Sequence, residues 1–65
     1  MKVKEFLDVL NMQVKYKIVD KYTREIYYNT EIYKRNIDRK ELFEKNIYMV
    51  FPSKEDDSIL DIRVF

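Results

Sequence analysis

The sequence predicts an α+β domain, two short helices packed on a four-stranded antiparallel sheet in the order α-β-β-α-β-β. Three observations carry this reading. Two alternating apolar/polar runs flank a polar turn between Gln13 and Tyr28. A second pair of β-rich runs closes the chain around the polar stretch 53–58. Each pair is preceded by a short segment with a helix start signal or an apolar stripe at helical spacing.

In the first segment, Lys2–Leu10, the residues Val3, Phe6, Leu7 and Leu10 fall at i, i+3, i+4 and i+7, the stripe of an amphipathic helix. Lys2, Lys4, Glu5 and Asp8 lie off that stripe, and Asn11 suits a left-handed stop. The first hairpin follows. Val14, Tyr16 and Ile18 alternate with Lys15 and Lys17, Asp20-Lys21-Tyr22-Thr23 forms a four-residue turn, and Arg24–Tyr28 returns with Ile26 and Tyr28 in step. Residues 29–33 extend the second strand and then loop, the alternative being a helical turn capped by Thr30; Lys34-Arg35-Asn36 reads as loop. Asp38 is an N-cap with Glu41 three residues on, and Ile37 with Leu42 makes a hydrophobic staple, so a helix over Arg39–Lys45 is expected, with Asn46 as its stop. Ile47–Phe51 is a strand closed by Pro52, and Ile59–Val64 is the last strand, with Leu60, Ile62 and Val64 on one face and Asp61 and Arg63 on the other.

Sixty-five residues make one domain, 1–65. A chain of that size buries only about 60% of its unfolded surface, so its stability is expected to be marginal. Cysteine and histidine are both absent, which excludes disulfides, thiol chemistry and the usual zinc sets. Tight packing or oligomerisation remains as support. No signal peptide pattern and no apolar run of about 20 residues is visible, so the expected location is the cytoplasm, with no membrane partner. Glycine and alanine are absent, while Lys, Ile, Asn, Tyr and Phe supply 30 of the 65 residues. That bias points to an A/T-rich genome, which the base composition of the gene would test.

The inventory for chemistry is thin. No histidine is available as a base for Ser53, Ser58, Thr23 or Thr30, and without glycine there is no phosphate-cradling loop. The acidic run Glu55-Asp56-Asp57, with Asp61 nearby, lacks the ligand offsets of a calcium loop and reads as a solvated turn. The expectation is a protein that is not an enzyme and carries no cofactor. Charge is uneven: residues 15–45 hold nine Lys/Arg against six acids, whereas 46–65 hold two against four. Tyrosines interleave with the basic part. Single-stranded nucleic-acid binding through Lys15, Lys17, Arg24, Lys34 and Arg35 is therefore the alternative function. Overall net charge of +1 and a pI near 7.9 argue against it.

The leading candidate is the outer face of the sheet. With Val14, Tyr16, Ile18, Ile26, Tyr28, Leu60, Ile62 and Val64 inward, the outward set is Lys15, Lys17, Glu25, Tyr27, Asp61, Arg63 and Phe65. From the third strand Tyr48 and Val50 are expected outward, because Ile47, Met49 and Phe51 are the longer apolar set. The protein-interface residues are then Tyr27, Tyr48, Val50, Phe65, Lys15, Lys17 and Arg63, aromatic anchors ringed by charge. An ordinary sheet face or the seam of a small homo-oligomeric structural protein is the competing account.

The succession VKEFLDVL, YKIVDKYTREIYY, IDRKELFEKN and YMVF…ILDIRVF resembles small accessory proteins of phages and mobile elements in low-GC Gram-positive bacteria. The resemblance covers nearly the whole chain at the level of element order and carries no diagnostic motif. It implies a protein that binds a host protein, anti-CRISPR and other anti-defence inhibitors being among such proteins.

Overall fold

A computed structural model describes residues 1–10, 13–31, 34–35 and 37–65, with residues 34 and 35 described by their backbone. The elements are α1 (Val3–Val9), β1 (Lys15–Asp20), β2 (Ile26–Asn29), β3 (Lys34–Arg35), α2 (Arg39–Glu44), β4 (Ile47–Pro52) and β5 (Ile59–Val64). The strands form one sheet of order β3-β2-β1-β5-β4. β1–β2, β2–β3 and β4–β5 are antiparallel, but the central pair β1–β5 is parallel, from Lys15↔Ile59 to Asp20↔Val64. The α+β class is as expected. The wholly antiparallel sheet is not. Alternation fixes which face a strand buries, and it is silent on which neighbour the strand takes. A parallel pair needs a long crossover, and the segment carrying β2, β3, α2 and β4 supplies it. Lys34 and Arg35, expected in a loop, form a two-residue strand on β2.

Both helices pack on one face of this sheet. The core consists of Val3 from α1, Leu42 from α2, Ile18 from β1, and Ile62 and Val64 from β5. Phe6, Leu7, Tyr16, Tyr28, Ile37, Phe43, Ile47 and Val50 pack around it. Tyr16 and Tyr28 meet with ring centroids 5.6 Å apart. The Thr30 hydroxyl accepts from the Tyr16 N–H at 2.9 Å and donates to its carbonyl at 3.0 Å, closing that end of the hairpin.

The helix ends follow the local rules. The Asp38 carboxylate accepts from the N–H groups of Lys40 (2.9 Å) and Glu41 (3.3 Å), and Ile37 and Leu42 both join the core. α2 stops at Glu44, one residue before the expected Lys45. At α1 the Lys2 N–H donates to Glu5 Oε1 at 2.9 Å, and Leu10 is the C-cap; the expected stop, Asn11, lies outside the described residues. Val3 N–H donates to the Lys45 carbonyl and Ile47 N–H to the Met1 carbonyl, so α1 is stitched to the α2–β4 junction. Lys2 and Lys4 both grip the Glu44 carboxylate, at 2.7 and 2.8 Å. No described helix is long and apolar enough to cross a membrane.

Two bulges alter the faces that strict alternation predicts. Along β1–β2, Ile18 pairs with Tyr28 but Val19 pairs with Ile26, so Tyr27 is the extra residue. Ile26, expected inward, joins Val19 on the outer face. Tyr27, expected outward, turns to the helix side, where its hydroxyl donates to Asp20 Oδ2 at 2.8 Å and the Lys45 ammonium lies 5.2 Å from its ring centroid. Along β4–β5, Ile47 pairs with Val64, Met49 with Arg63, Val50 with Ile62 and Phe51 with Asp61, so Tyr48 is extra. Val50, expected outward, therefore packs on the core, while Met49 and Phe51, expected inward, share the outer face with Arg63 and Asp61.

Leu42→Ala is expected to lower unfolding free energy by about 2–5 kcal/mol in urea titrations, because it empties a fully enclosed site. Val9→Ala, at an exposed position, is expected to stay within about 0.5 kcal/mol.

The two lysines hold the Glu44 carboxyl down to about 2 from its usual 4.5. A folded value below the unfolded one stabilises above pH 4.5 and is lost as pH falls toward 2. Urea midpoints measured down this range should fall, and Lys2→Gln with Lys4→Gln should flatten that slope, leaving the shares due to Asp20, which is also held at about 2, and to Asp56, which the Ser58 hydroxyl and N–H hold down.

Candidate functional site

No described helix or strand lies over the second face of the sheet. That face is built from cross-strand rows. Phe51, Asp61 and Lys17 stand side by side across β4, β5 and β1, and the next row is Met49, Arg63, Val19 and Ile26. Between the rows and the loops at either end lies a depression of about 420 Å³. Lys17, Lys21, Arg24, Lys54 and Arg63 supply its cations, Asp61 and Glu55 its carboxylates, and Tyr48, Met49 and Phe51 much of its apolar wall.

Asp61 organises the floor. It is 2% exposed, the lowest of any described carboxylate-bearing residue on this face. Arg63 Nε donates to Oδ1 at 2.7 Å and Nη2 to Oδ2 at 3.0 Å, a two-point fork from two residues along the same strand. The Lys17 ammonium lies 3.8 Å from Oδ2, placed there by the parallel register. The carboxylate raises the Arg63 guanidinium pKa, chiefly through the hydrogen bond. Arg63 also lies 5.3 Å over the Phe51 ring centroid, so it is fixed from two sides.

The rim is set by the loop between β1 and β2, five residues rather than four. Asp20 Oδ1 accepts from the N–H groups of Tyr22 (2.7 Å) and Thr23 (2.9 Å), and the Arg24 N–H donates to the Asp20 carbonyl (3.1 Å). These backbone bonds, with the Tyr27 hydroxyl on Oδ2, push the Asp20 carboxyl down to about 2; the same bond pushes the Tyr27 phenol up to about 12. Arg24 adopts φ 63°, the left-handed region where a loop usually places glycine, and the chain has none. The Lys21 N–H is anchored on the Val64 carbonyl at 2.8 Å. Its ammonium lies 3.7 Å from the Tyr48 centroid, 5.1 Å from Tyr22 and 5.5 Å from Phe65. Tyr48 and Phe65 meet edge to face at 6.3 Å.

Of the residues expected at a protein interface, Tyr48, Phe65, Lys17 and Arg63 come together on this face. Lys15 shares the face, with its ammonium on Glu31 at 2.7 Å. Tyr27 and Val50 do not belong to it. Of the nucleic-acid set, Lys17 and Arg24 line the depression; Lys34 and Arg35 sit on β3 at the far edge of the sheet, their side chains outside the description. Sequence reasoning missed Lys21, Met49, Phe51 and Lys54. Both Met49 and Phe51 are legible only once the bulge at Tyr48 is known. In the acidic turn, Asp56 accepts from the Ser58 N–H and hydroxyl, and among the described residues no three carboxylates converge as metal ligands would.

The fold and this face define a small α+β domain, helix-covered on one side and basic and aromatic on the other. Comparison with protein-family models gives no match, and neither do comparisons with curated proteins and with solved structures.

Asp61→Ala is expected to cost about 1–3 kcal/mol of unfolding free energy, because Arg63 and Lys17 lose a buried acceptor. Arg63→Ala is expected to cost at least as much in the same urea titration, because it leaves the buried Asp61 carboxylate with Lys17 at 3.8 Å as its ion-pair partner; wild-type midpoints for both variants would show that the fork contributes no stability.

Proposed function

We propose that this chain is a non-catalytic protein-binding module, an accessory protein of a phage or mobile element that acts in the host cytoplasm by binding and inhibiting a host protein such as a CRISPR or other defence effector. The observation that carries the binding reading is the uncovered sheet face, where Tyr48, Met49 and Phe65 stand 51%, 48% and 51% exposed around the cationic depression. Large side chains left in water on a rigid sheet, rimmed by charge, are what an interface core requires. The biological setting rests on the resemblance in element order alone. No cofactor enters this reading.

A second reading, single-stranded nucleic-acid binding, draws on the same five cations beside exposed rings. Self-association through the face is a third.

The test is capture by tagged protein from a low-GC Gram-positive lysate, with and without nuclease. Tyr48→Ala with Phe65→Ala is expected to retain the wild-type circular dichroism spectrum and to lose a stoichiometric, nuclease-resistant partner. Unchanged capture would move the binding surface elsewhere, and recovery that vanishes with nuclease would favour the second reading.

A further inference from the structure

The five cations of the depression are not equally committed. Arg63 and Lys17 are held by Asp61. Lys21, Arg24 and Lys54 form no ion pair among the described residues. Against these three the lining offers Glu55 alone, since the Asp61 charge is already shared by Arg63 and Lys17. A surplus of positive charge over an apolar wall attracts an anion that carries apolar groups.

We propose, on the protein-binding reading above, that this depression receives an acidic segment of the partner protein. Neighbouring carboxylates of that segment would meet Lys21, Arg24 and Lys54, and an apolar side chain between them would lie on Met49. Lys21 is arranged in advance for this, resting on Tyr48 and beside Phe65, and the Arg24 main chain is held by a bond to Asp20. Ordering a lysine before the partner arrives lowers the entropy lost on binding.

The rings argue against a nucleic-acid strand. A base stacks on an open ring face. Here Lys21 covers a face of Tyr48 and Arg63 a face of Phe51. The depression, about 420 Å³, suits a few side chains and not a track of several nucleotides. A second copy of the chain also fits poorly. An isologous dimer would set this basic face against itself, and like charges would meet.

The experiment is fluorescence anisotropy of the full chain with a labelled Glu-Glu-Leu-Glu-Glu peptide, its Gln-Gln-Leu-Gln-Gln counterpart and a labelled oligothymidylate. The acidic peptide is expected to bind at low salt and to weaken steeply as salt is raised; the neutral peptide is expected not to bind. Lys21→Gln, Arg24→Gly and Lys54→Gln should each weaken it by about tenfold, the loss of one charge-assisted contact. Arg24→Gly is informative because glycine takes the left-handed backbone at no steric cost, so a loss there is not unfolding. Lys40→Gln makes the same charge change on α2, on the helix-covered side, and should change nothing. Equal weakening by Lys40→Gln, no binding of the acidic peptide, or tighter oligothymidylate binding through the same three residues would overturn the proposal. Capture of a nuclease-resistant partner separates this from the reading it rests on. Retention by the triple charge variant with loss by Tyr48→Ala/Phe65→Ala would remove the acidic-segment inference and leave the protein-binding module. Retention by both variants would remove the acidic-segment inference and this face as the binding surface, and no nuclease-resistant capture by the wild-type chain would remove the protein-binding module.

Discussion

The parallel pairing of β1 with β5 is the interaction on which both faces of the molecule depend. One register, Ile18 beside Ile62 and Lys17 beside Asp61, does two things. On the helix side it joins two fully enclosed strand residues and gives Val3 and Leu42 a surface to cover. On the open side it brings Lys17 against the carboxylate that Arg63 already grips. A shift of either strand by one residue would turn its side chains over, placing Lys17 or Arg63 in the core. The apolar face and the charged face therefore specify the same register, each reinforcing the other.

Two helices of seven and six residues cover one side of a sheet and no more. The second side must tolerate water while holding apolar strand residues such as Val19, which is buried between its ladder partners Ile26 and Arg63. Long cationic side chains suit that task because their stems cover apolar surface while their charges stay wet. The cation–ring contacts of Lys21 and Arg63 are part of the same solution. A face built this way is ordered without a covering layer.

Much of the fold was legible in the sequence because its signals are local. The Asp38 cap, the Ile37–Leu42 staple and the alternation through Ile59–Val64 each depend on residues a few positions apart, and each appears where expected. The departures have non-local or context-bound causes. Strand order depends on which hairpin edge the second pair meets, which no periodicity encodes. The bulges at Tyr27 and Tyr48 insert one residue into runs that read as unbroken β sequence, Ile26–Tyr28 and Ile47–Phe51, and each reverses the faces beyond it. Hence Tyr48, Phe65, Lys17 and Arg63 are readable as outward residues, while alternation puts Ile26, Tyr27, Val50, Met49 and Phe51 on the wrong sides. Lys21 was hidden differently. It stands in a turn, and only the bond from its N–H to Val64 brings its ammonium over the Tyr48 ring.

Asp61 shows what the charges on the open face are for. A partly buried ion pair is weak evidence of stabilisation, because desolvation offsets much of its attraction. Its effect here is positional. The fork fixes Arg63 against Phe51 and draws Lys17 inward, so two of the five cations share one carboxylate and become floor. The remaining three stand at the rim, on a loop that Asp20 ties together through two backbone N–H groups and the Tyr27 hydroxyl, and on the turn that follows β4. Two aspartates thus divide the labour. One levels the floor of the depression, and the other holds its edge in a backbone conformation that this glycine-free chain reaches only by placing Arg24 in the left-handed region. The uncompensated charge is consequently concentrated at the rim beside exposed rings, which is where an incoming acidic chain would first make contact.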